Sequence, residues 1–325
     1  MKSNKALAVL CCLMAVMILT FTGMLFMKLK VDRQTEVPVS YNYDIADAVE
    51  TDKPAKEVAA VEPNCMKGVK FPEGILDSMK TAYAVNKNCV GRISIPGTEI
   101  DTVIIQGKDN SRYLTYNFYE IWTSEVSGTL YGNVFLDYQC RNDEYLSKNT
   151  ILHGHTTGKS DNIPKQSFRS LYDYRSKEHF IECPIIKYTT LYNEYTFKIC
   201  DVFYSTTQPG YDNGYFFNYI YPDMSDSNMV GYIDQVNQRR LYDTGVSLEP
   251  TDNIITLSTC IYDFGKSIDT RLVVVGRLLH EGEDESIDAS LVKDNPDYRR
   301  PQKWYDNHGK KNPYKNAEKW KPSAE

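Results

Sequence analysis

The two most strand-like stretches of the sequence are NIITLSTC, residues 253–260, and RLVVVGRLL, residues 271–279. Both are rich in β-branched and aliphatic residues, and a polar loop that contains Gly265 joins them. Short apolar runs bounded by turn residues are typical of buried β-strands. The sequence therefore predicts a β-rich fold in which the last two strands flank the loop that follows Cys260.

Upstream runs of the same character, and three helices, complete the predicted pattern. A helix is predicted over Pro72–Asn86, a second over Phe168–Tyr174, and a third over Asn228–Arg240, with Ser227 as its N-cap. The other predicted strands are Gly91–Ile95, Thr102–Ile105, Thr129–Leu136, Asn149–His153, Ile185–Thr189 and Tyr195–Ser205. Eight strands favour either a closed barrel or a sandwich with helical insertions, and their spacing leaves both open.

Composition excludes several classes of protein. The chain has 325 residues, a net charge of −6 and 25% charged residues, so it is neither a wholly disordered nor a multi-pass membrane protein. This length allows one sizeable domain with extensions or two small domains. The first 30 residues hold four lysines and no acidic residue, so the remainder is even more acidic than the whole. Nucleic acid, which requires clustered positive charge, is excluded as a partner.

The N-terminal segment predicts the location of the protein. Ala6–Met27 is an uncharged run of 22 residues, which as a helix spans about 33 Å, enough for a bilayer core. A cleaved signal peptide is the alternative, but its apolar region is shorter and ends in small residues. We therefore expect a single-pass protein of the cell membrane, in contact with lipid through this helix, with a cytoplasmic N-terminus and an extracellular body.

Four segments follow from these patterns. Residues 1–30 are expected to be the membrane anchor, and residues 31–70 an extracellular linker without helical or alternating periodicity. Residues 71–280 form the globular domain, and residues 281–325 a polar tail, expected to be mostly flexible. The alternative for the tail is that its aromatic residues contact cell-wall glycan or pack back on the domain.

The cysteines and histidines do not suggest a metal site. There are eight cysteines and five histidines, with no C-x-x-C pair and no cysteine–histidine spacing typical of zinc. In an exported chain the cysteines could form disulfides or, in an anaerobic source, remain thiols, and the sequence leaves both open. No metal and no other cofactor is expected.

Three residues at predicted strand ends are candidates for covalent catalysis. Cys260 ends one apolar strand and Arg271 begins the next, while His155 follows the predicted strand Asn149–His153. A nucleophilic thiol needs a base or a cation nearby, and a guanidinium supplies fixed donors to a developing oxyanion. The pattern alone is also compatible with solvent-facing side chains at strand ends.

The sequence resembles the sortase family, most closely its class B. The resemblance covers about Pro72 to His280 and is carried by motifs in the same order as in the family. These motifs are VGRISIPGT at 90–98, VIIQGKDN at 103–110, NTILHGH at 149–155, and TLSTC at 256–260 followed by RLVVVGRL at 271–278. The resemblance implies a mainly β fold: a closed eight-stranded barrel with an N-terminal helix, and a helix inserted before the last two strands. It also implies a membrane anchor and no redox or metal cofactor.

The resemblance assigns catalytic roles to the three candidates. It implies that Cys260 is the nucleophile, His155 the acid and base, and Arg271 the group that orients the substrate or stabilises the oxyanion. His153 lies on the same strand face as His155 by alternation, but farther from the loop, and is interpreted as non-catalytic. Ile261 departs from the polar residue that class B members often have there.

The resemblance also implies a substrate groove. Asn110 and Leu114 match the family's D-N-x-x-Y-L stretch, and Ser258 lies beside the catalytic strand end. Thr207 and Tyr211 match the wall of the groove more loosely. These five residues are the predicted substrate-binding residues.

The implied reaction is transpeptidation through a thioacyl enzyme. The expected substrates are secreted proteins with a C-terminal sorting signal, and the amine acceptor belongs to a peptidoglycan precursor or, in pilus assembly, to a pilin. A plain cysteine protease and an L,D-transpeptidase are alternatives, but the sequence lacks their C-G-S-C-W and S-x-G-C contexts. From another class, an inactive wall-anchored binding module is the remaining alternative.

Overall fold

The fold is a closed β-barrel, which decides between the two β architectures that the strand spacing allows. The computed structural model describes residues 64–122, 132–156, 168–265 and 268–323. The strands are β1 (Cys89–Ser94), β2 (Asp101–Gln106), β3 (Phe135–Leu136), β4 (Asn149–Gly154), β5 (Ile185–Thr190), β6 (Glu194–Ser205), β7 (Tyr242–Asp243), β8 (Ile254–Ile261), β9 (Thr270–Leu278) and β10 (Lys293–Asp294). Eight of them form the barrel in the order β1-β2-β3-β4-β8-β9-β6-β5, while β7 and β10 pair separately.

Among the described residues, four α-helices accompany the barrel. They are α1 (Asp77–Val85), α2 (Lys177–Glu182), α3 (Asp226–Asn237) and α4 (Gln302–Asn307). The N-terminal helix and the helix before the last two strands are thus present as predicted. The helix predicted over Phe168–Tyr174 is a 3-10 helix, Phe168–Arg175, and α2 was not predicted.

The start of helix α3 and the extent of strand β3 differ from the prediction. Helix α3 begins earlier than predicted because the hydroxyl of Ser225, not that of Ser227, accepts a hydrogen bond from the backbone N–H of Asn228. Of the strand predicted over Thr129–Leu136, the structure has β3, Phe135–Leu136; residues 132–134 are not in a strand, and residues 129–131 lie outside the described residues.

Apolar residues of β9 are buried on both faces of the sheet, which explains their unbroken run. Leu272 and Val274 belong to the cluster that fills the barrel, whereas Val273 and Val275 belong to a second cluster beneath α3. Successive strand residues point to opposite faces, so a strand covered on both sides needs apolar residues at every position. The helix inserted before β8 therefore accounts for the sequence pattern of β9.

Residues 281–323 pack on the domain, in contrast to the flexible tail favoured by the sequence. The indole of Trp320 lies over Gly231 of α3 so closely that a Cβ there would come within 2.1 Å of its ring. The hydroxyl of Tyr215 donates to the carbonyl of Trp320 at 2.9 Å, and Arg299 and Tyr305 are buried. The alternative interpretation, that aromatic residues of this segment pack back on the domain, describes the structure.

The predicted localisation requires a correction. Among residues 64–122, 132–156, 168–265 and 268–323, no helix is long and apolar enough to cross a bilayer. Ala6–Met27, on which the prediction of a single-pass anchor and of a lipid contact rests, lies outside the described residues, as does most of the predicted linker. The localisation at the cell membrane is therefore not retained.

Candidate active site

Cys260 lies on β8, between β9, which carries Arg271, and β4, whose end is followed by His155. On one side β8 pairs with β9, and in that register Cys260 is directly opposite Arg271. On the other side β8 pairs in parallel with β4, whose last paired residue, Gly154, is opposite Thr259. His155 follows Gly154 and thus enters the loop beside Cys260. The barrel brings together the three residues that the sequence singled out.

Hydroxyl groups attach the segment around His155 to the strand of the thiol. The buried hydroxyls of Thr156 and Thr259 are hydrogen-bonded to each other, and Thr259 donates to the carbonyl of Gly154 at 2.8 Å. Gly154 has no room for a side chain, because a Cβ would come within 2.7 Å of Phe168. These contacts fix the residues on both sides of His155 relative to β8.

The imidazole of His155 contacts the backbone of Leu114. Its Nε2 lies 2.8 Å from the carbonyl oxygen of Leu114. A carbonyl only accepts hydrogen bonds, so Nε2 carries the proton in the neutral ring and Nδ1 is the nitrogen that can accept one. Leu114, predicted as a substrate-binding residue, therefore also sets the tautomer of the histidine through its backbone.

An aspartate missed by the sequence analysis holds Arg271. Asp269 accepts a hydrogen bond from Nη1 of Arg271, and also one from the Thr207 hydroxyl at 2.6 Å and one from the Thr207 N–H at 3.2 Å. Burial works against the charged guanidinium, but Cys260, Tyr219 and Asp269 raise the pKa of Arg271 above its ordinary value. Asp269 thus links Arg271 to a predicted groove residue. Its position two residues before an arginine is too common a pattern to have identified it.

The thiol of Cys260 is partly buried, and burial determines its protonation. Desolvation raises the pKa of the Cys260 thiol above its ordinary value, the positive charge of Arg271 lowers it, and the negative charge of Asp269 raises it. Most of the thiol is therefore protonated near neutral pH in the free protein, so a base is needed to generate the nucleophile.

Ser258 is closer to the core than a groove residue usually is. Its side chain is buried, and its hydroxyl lies 2.9 Å from that of Tyr219, a residue that the sequence analysis did not select. Burial raises the pKa of Tyr219 to about 12, so this hydroxyl remains neutral. By alternation Ser258 shares a strand face with Cys260. Tyr211 is half-buried against the main core cluster.

His153 and Asn110 belong to a separate network around Asp137. The carboxylate of Asp137 lies 2.9 Å from Nε2 of His153 and accepts a hydrogen bond from the Asn110 amide at 2.7 Å. Burial opposes ionisation of Asp137, but the hydrogen bonds from His153, Gln139 and Asn110 lower its pKa. Asn110 also accepts from the N–H of Tyr138, so its amide is bonded at both ends. In the structure, the imidazole of His153 is bound to a carboxylate.

The loop after Cys260 is attached at Asp263, which the sequence analysis also missed. Its carboxylate accepts hydrogen bonds from the hydroxyls of Tyr172 and Tyr204, at 2.6 and 2.7 Å, and from Arg175 at 3.0 Å. Burial opposes ionisation, but these donors lower the pKa of Asp263. The beginning of the β8–β9 loop is therefore fixed, although the donors come from distant parts of the sequence.

The described residues contain no group of three or more His, Cys, Asp or Glu side chains that could hold a metal ion. Their six cysteines are free thiols. Of the two possibilities that the sequence left open for these six residues, the structure has the thiol form.

Comparisons with known proteins identify the family. No family model matches the chain. Sortase B of Listeria monocytogenes is 32% identical over 206 residues, 63% of this chain and 75% of the relative. The Staphylococcus aureus sortase B–substrate complex superimposes with a TM-score of 0.53 at 27% identity, over 64% of this chain and 87% of that one. The S. aureus sortase B complexed with triglycine gives 0.51 at 27% identity, over 62% and 85%.

The closed eight-stranded barrel and the similarity to these proteins define one class of enzyme. The chain belongs to the class B sortases, which are cysteine transpeptidases. The fold implied by the sequence motifs is thereby confirmed. The alternatives of a plain cysteine protease, an L,D-transpeptidase and a wall-anchored binding module are set aside.

Proposed function

We propose that Cys260, His155 and Arg271 cleave the C-terminal sorting signal of secreted proteins and transfer the resulting acyl group to an amine. The observation that carries the proposal is the position of Cys260 on β8, opposite Arg271 on β9 and beside the end of β4, from which His155 extends. We assign these roles to the domain predicted over residues 71–280.

The first half-reaction forms a thioacyl enzyme. Nδ1 of His155 takes the proton of the Cys260 thiol, and the sulfur attacks the carbonyl carbon of the scissile amide. Negative charge develops on the carbonyl oxygen, where Arg271 donates hydrogen bonds. As the carbon–nitrogen bond breaks, the imidazolium returns its proton to the leaving amine, leaving a thioester on Cys260.

The second half-reaction reverses these roles. The incoming amine attacks the thioester carbon, His155 removes a proton from its nitrogen, and the sulfur leaves as Cys260 returns to a thiol. One amide is broken and one formed, so no energy source or redox partner is required. Because water competes with the amine, partial burial of Cys260 favours transfer over hydrolysis.

We propose an amine of the peptidoglycan precursor as the acceptor. The support is by similarity: a S. aureus sortase B, which matches this barrel, is known in complex with triglycine and in complex with a substrate. For the sorting signal, we propose contacts with Leu114, Thr207 and Tyr211 at the rim, with Ser258 and Asn110 shaping the groove through Tyr219 and Asp137. An acceptor on a pilin subunit is the other outcome of the test below.

Mass spectrometry of the intact protein tests the proposal. The protein is incubated with a library of sorting-signal peptides, first alone and then with triglycine or with a lysine peptide from a pilin. We expect an acyl adduct on the proteolytic fragment that contains Cys260, and its transfer to triglycine. The matched control is Cys65→Ala, which removes an exposed thiol and should leave the adduct unchanged. An adduct on Cys65 alone would refute the assignment, and transfer only to the lysine peptide would replace the proposed acceptor.

A further inference from the structure

Two buried arginines face a small cavity between the barrel and the C-terminal segment. Arg239 follows α3 and is 3% exposed, whereas Arg299 belongs to the C-terminal segment and is 4% exposed. Both line a cavity of about 10 Å³, together with Asp212, Arg300, Ser205 at the end of β6 and Thr206 directly after it. A space of this volume holds one particle the size of a water molecule.

Some of the donors of these arginines have no partner among the residues that the structure describes. Nη1 of Arg239 donates to the backbone and side-chain oxygens of Gln235, but its Nη2 is buried without a hydrogen bond. Arg299 donates from Nη1 to Gln238 and from Nη2 to Asp212 at 3.3 Å, while its Nε is buried without a hydrogen bond. A buried, unpaired charged donor is costly.

The charges of the cavity do not balance. Both guanidinium groups remain charged, because arginine is not deprotonated in proteins under ordinary conditions. Asp212 is the only carboxylate among the described residues that line the cavity, and it also accepts from the N–H of Gln302. Aromatic rings compensate in part: the Arg239 guanidinium lies 4.7 Å from the ring centre of Phe217. Arg300, which is half-buried and stacked on the ring of Tyr298, also lines the cavity, so three guanidinium groups face a single carboxylate.

The excess of positive charge affects the pKa of Arg239. Burial and the positive charge of Arg299 lower the pKa of Arg239 to about 9. An anion between the two groups would remove both penalties, since it supplies the missing charge and accepts hydrogen bonds from Nη2 of Arg239 and Nε of Arg299.

We propose that this cavity binds one monatomic anion of the size of chloride, held between Arg239 and Arg299. The ion joins three parts of the chain: the end of α3, the C-terminal segment and the end of β6, where Ser205 pairs with Arg271. It therefore fastens residues 281–323 to the domain, close to the strand end that carries the catalytic arginine. The site is separate from the proposed catalytic groups and does not depend on their roles.

Thermal unfolding of the full-length chain tests the site. Ionic strength is kept constant while sodium chloride replaces sodium gluconate, whose anion is too large for the cavity. Because a ligand of the native state stabilises it by mass action, we expect the melting temperature to rise by about 3 °C for each tenfold increase in chloride above the dissociation constant. Equal melting temperatures in chloride and gluconate would overturn the proposal.

Matched variants and crystals with bromide complete the test. Arg239→Met and Arg299→Met should abolish the dependence on chloride. Arg277→Met is the control, because Arg277 is also buried but fully paired with Glu283, and this variant should keep the dependence although its stability is lower. If the variants do not fold, wild-type crystals grown in sodium bromide decide the question through anomalous scattering. A peak between Arg239 and Arg299 supports the site, whereas a water molecule without anomalous signal refutes it.

Discussion

The two ends of strand β9 each carry an arginine on the same face, and the partners of the two side chains differ. At one end Arg271 is opposite Cys260, and its hydrogen bonds to described residues all come from Nη1. At the other end Arg277 donates from both Nη atoms to Glu283, at 2.6 and 2.8 Å, and from Nε to the carbonyl of Ser247. Glu283 also accepts from Lys198.

The difference separates a functional arginine from a structural one on physical grounds. The guanidinium of Arg277 has its hydrogen-bonding capacity occupied by the half-buried carboxylate of Glu283 and by the carbonyl of Ser247, so it stabilises the fold and has little to offer a ligand. Arg271 keeps donors that protein groups among the described residues do not use, next to a thiol. The following predictions test this division between the two ends, beginning with the largest effect.

Cys260→Ala should abolish transpeptidation. Loss of a covalent nucleophile removes at least about three orders of magnitude from kcat/KM. The control lies toward the other end of β9, where the thiol of Cys200 is buried against the carbonyl of Val275. Cys200→Ala should lower the melting temperature and leave kcat/KM nearly unchanged. Both values are measured on one fluorogenic sorting-signal peptide. Residual activity of Cys260→Ala above one thousandth of wild type would point to a different nucleophile.

His155→Ala should lower kcat/KM by about 10²–10⁴-fold, because a general acid–base is lost. His153→Ala removes the partner of Asp137 and should chiefly reduce stability, with activity within a few-fold of wild type. The two variants are compared by peptide cleavage and by thermal unfolding. An exchange of the two phenotypes would transfer the role of base to His153.

Arg271→Lys should lower kcat/KM by about 10²–10³-fold although the positive charge is kept. A lysine ammonium does not reproduce the planar fork of a guanidinium, and one positioned oxyanion donor contributes about 2.7–4 kcal/mol to transition-state stabilisation. Arg277→Lys should change kcat/KM less than about threefold but reduce the melting temperature, because the bidentate contact with Glu283 is lost. Equal losses of activity would remove Arg271 from the active site.

The contribution to stability from the end of β9 that carries Arg277 should depend on pH through the ionisation of Glu283. Hydrogen bonds from Arg277 and Lys198 lower the pKa of Glu283 far below its ordinary value of 4.5. Burial opposes this shift, with a smaller effect than the hydrogen bond from Arg277. Because the folded-state pKa is depressed, the carboxylate stabilises the fold at neutral pH, and this contribution is lost as the pH falls below about 4.5.

The measurement for Glu283 is the free energy of unfolding in urea at several pH values. Glu283→Gln should cost about 1–3 kcal/mol at pH 7, since Arg277 and Lys198 lose a charged acceptor. The variant should also show a smaller decline between pH 4.5 and pH 3 than the wild type. Parallel pH curves for the two proteins would show that the contact contributes little.

The strands that pair at the active site could be predicted from the sequence because their patterns are local. Strands β8 and β9 were predicted within one or two residues, since both faces are buried and β-branched and aliphatic residues dominate both runs. The positions of Cys260 and Arg271 followed from the ends of those runs. The partners Asp269 and Asp263 could not be predicted, because their importance depends on donors, such as Thr207 and Tyr204, from distant parts of the sequence.

The C-terminal segment shows where local patterns fail. Residues 281–323 lack apolar periodicity, so the sequence favoured a flexible tail. In the structure their stability depends on contacts distant in the chain, such as Trp320 over Gly231 and Arg299 beside Asp212. A small residue in a helix and a tryptophan in a polar segment have no detectable relationship until the fold brings them together.

The parallel pairing of β4 with β8 has a consequence for biosynthesis. During synthesis, β4 emerges from the ribosome more than a hundred residues before its partner β8. Strand β6 likewise emerges before its partner β9. A nascent chain that has not reached Ile254 therefore exposes two unpaired sheet edges, which invite aggregation or capture by chaperones. Since Cys260 and Arg271 arrive on the strands that close those edges, the chain acquires its proposed reactive centre only when the barrel closes.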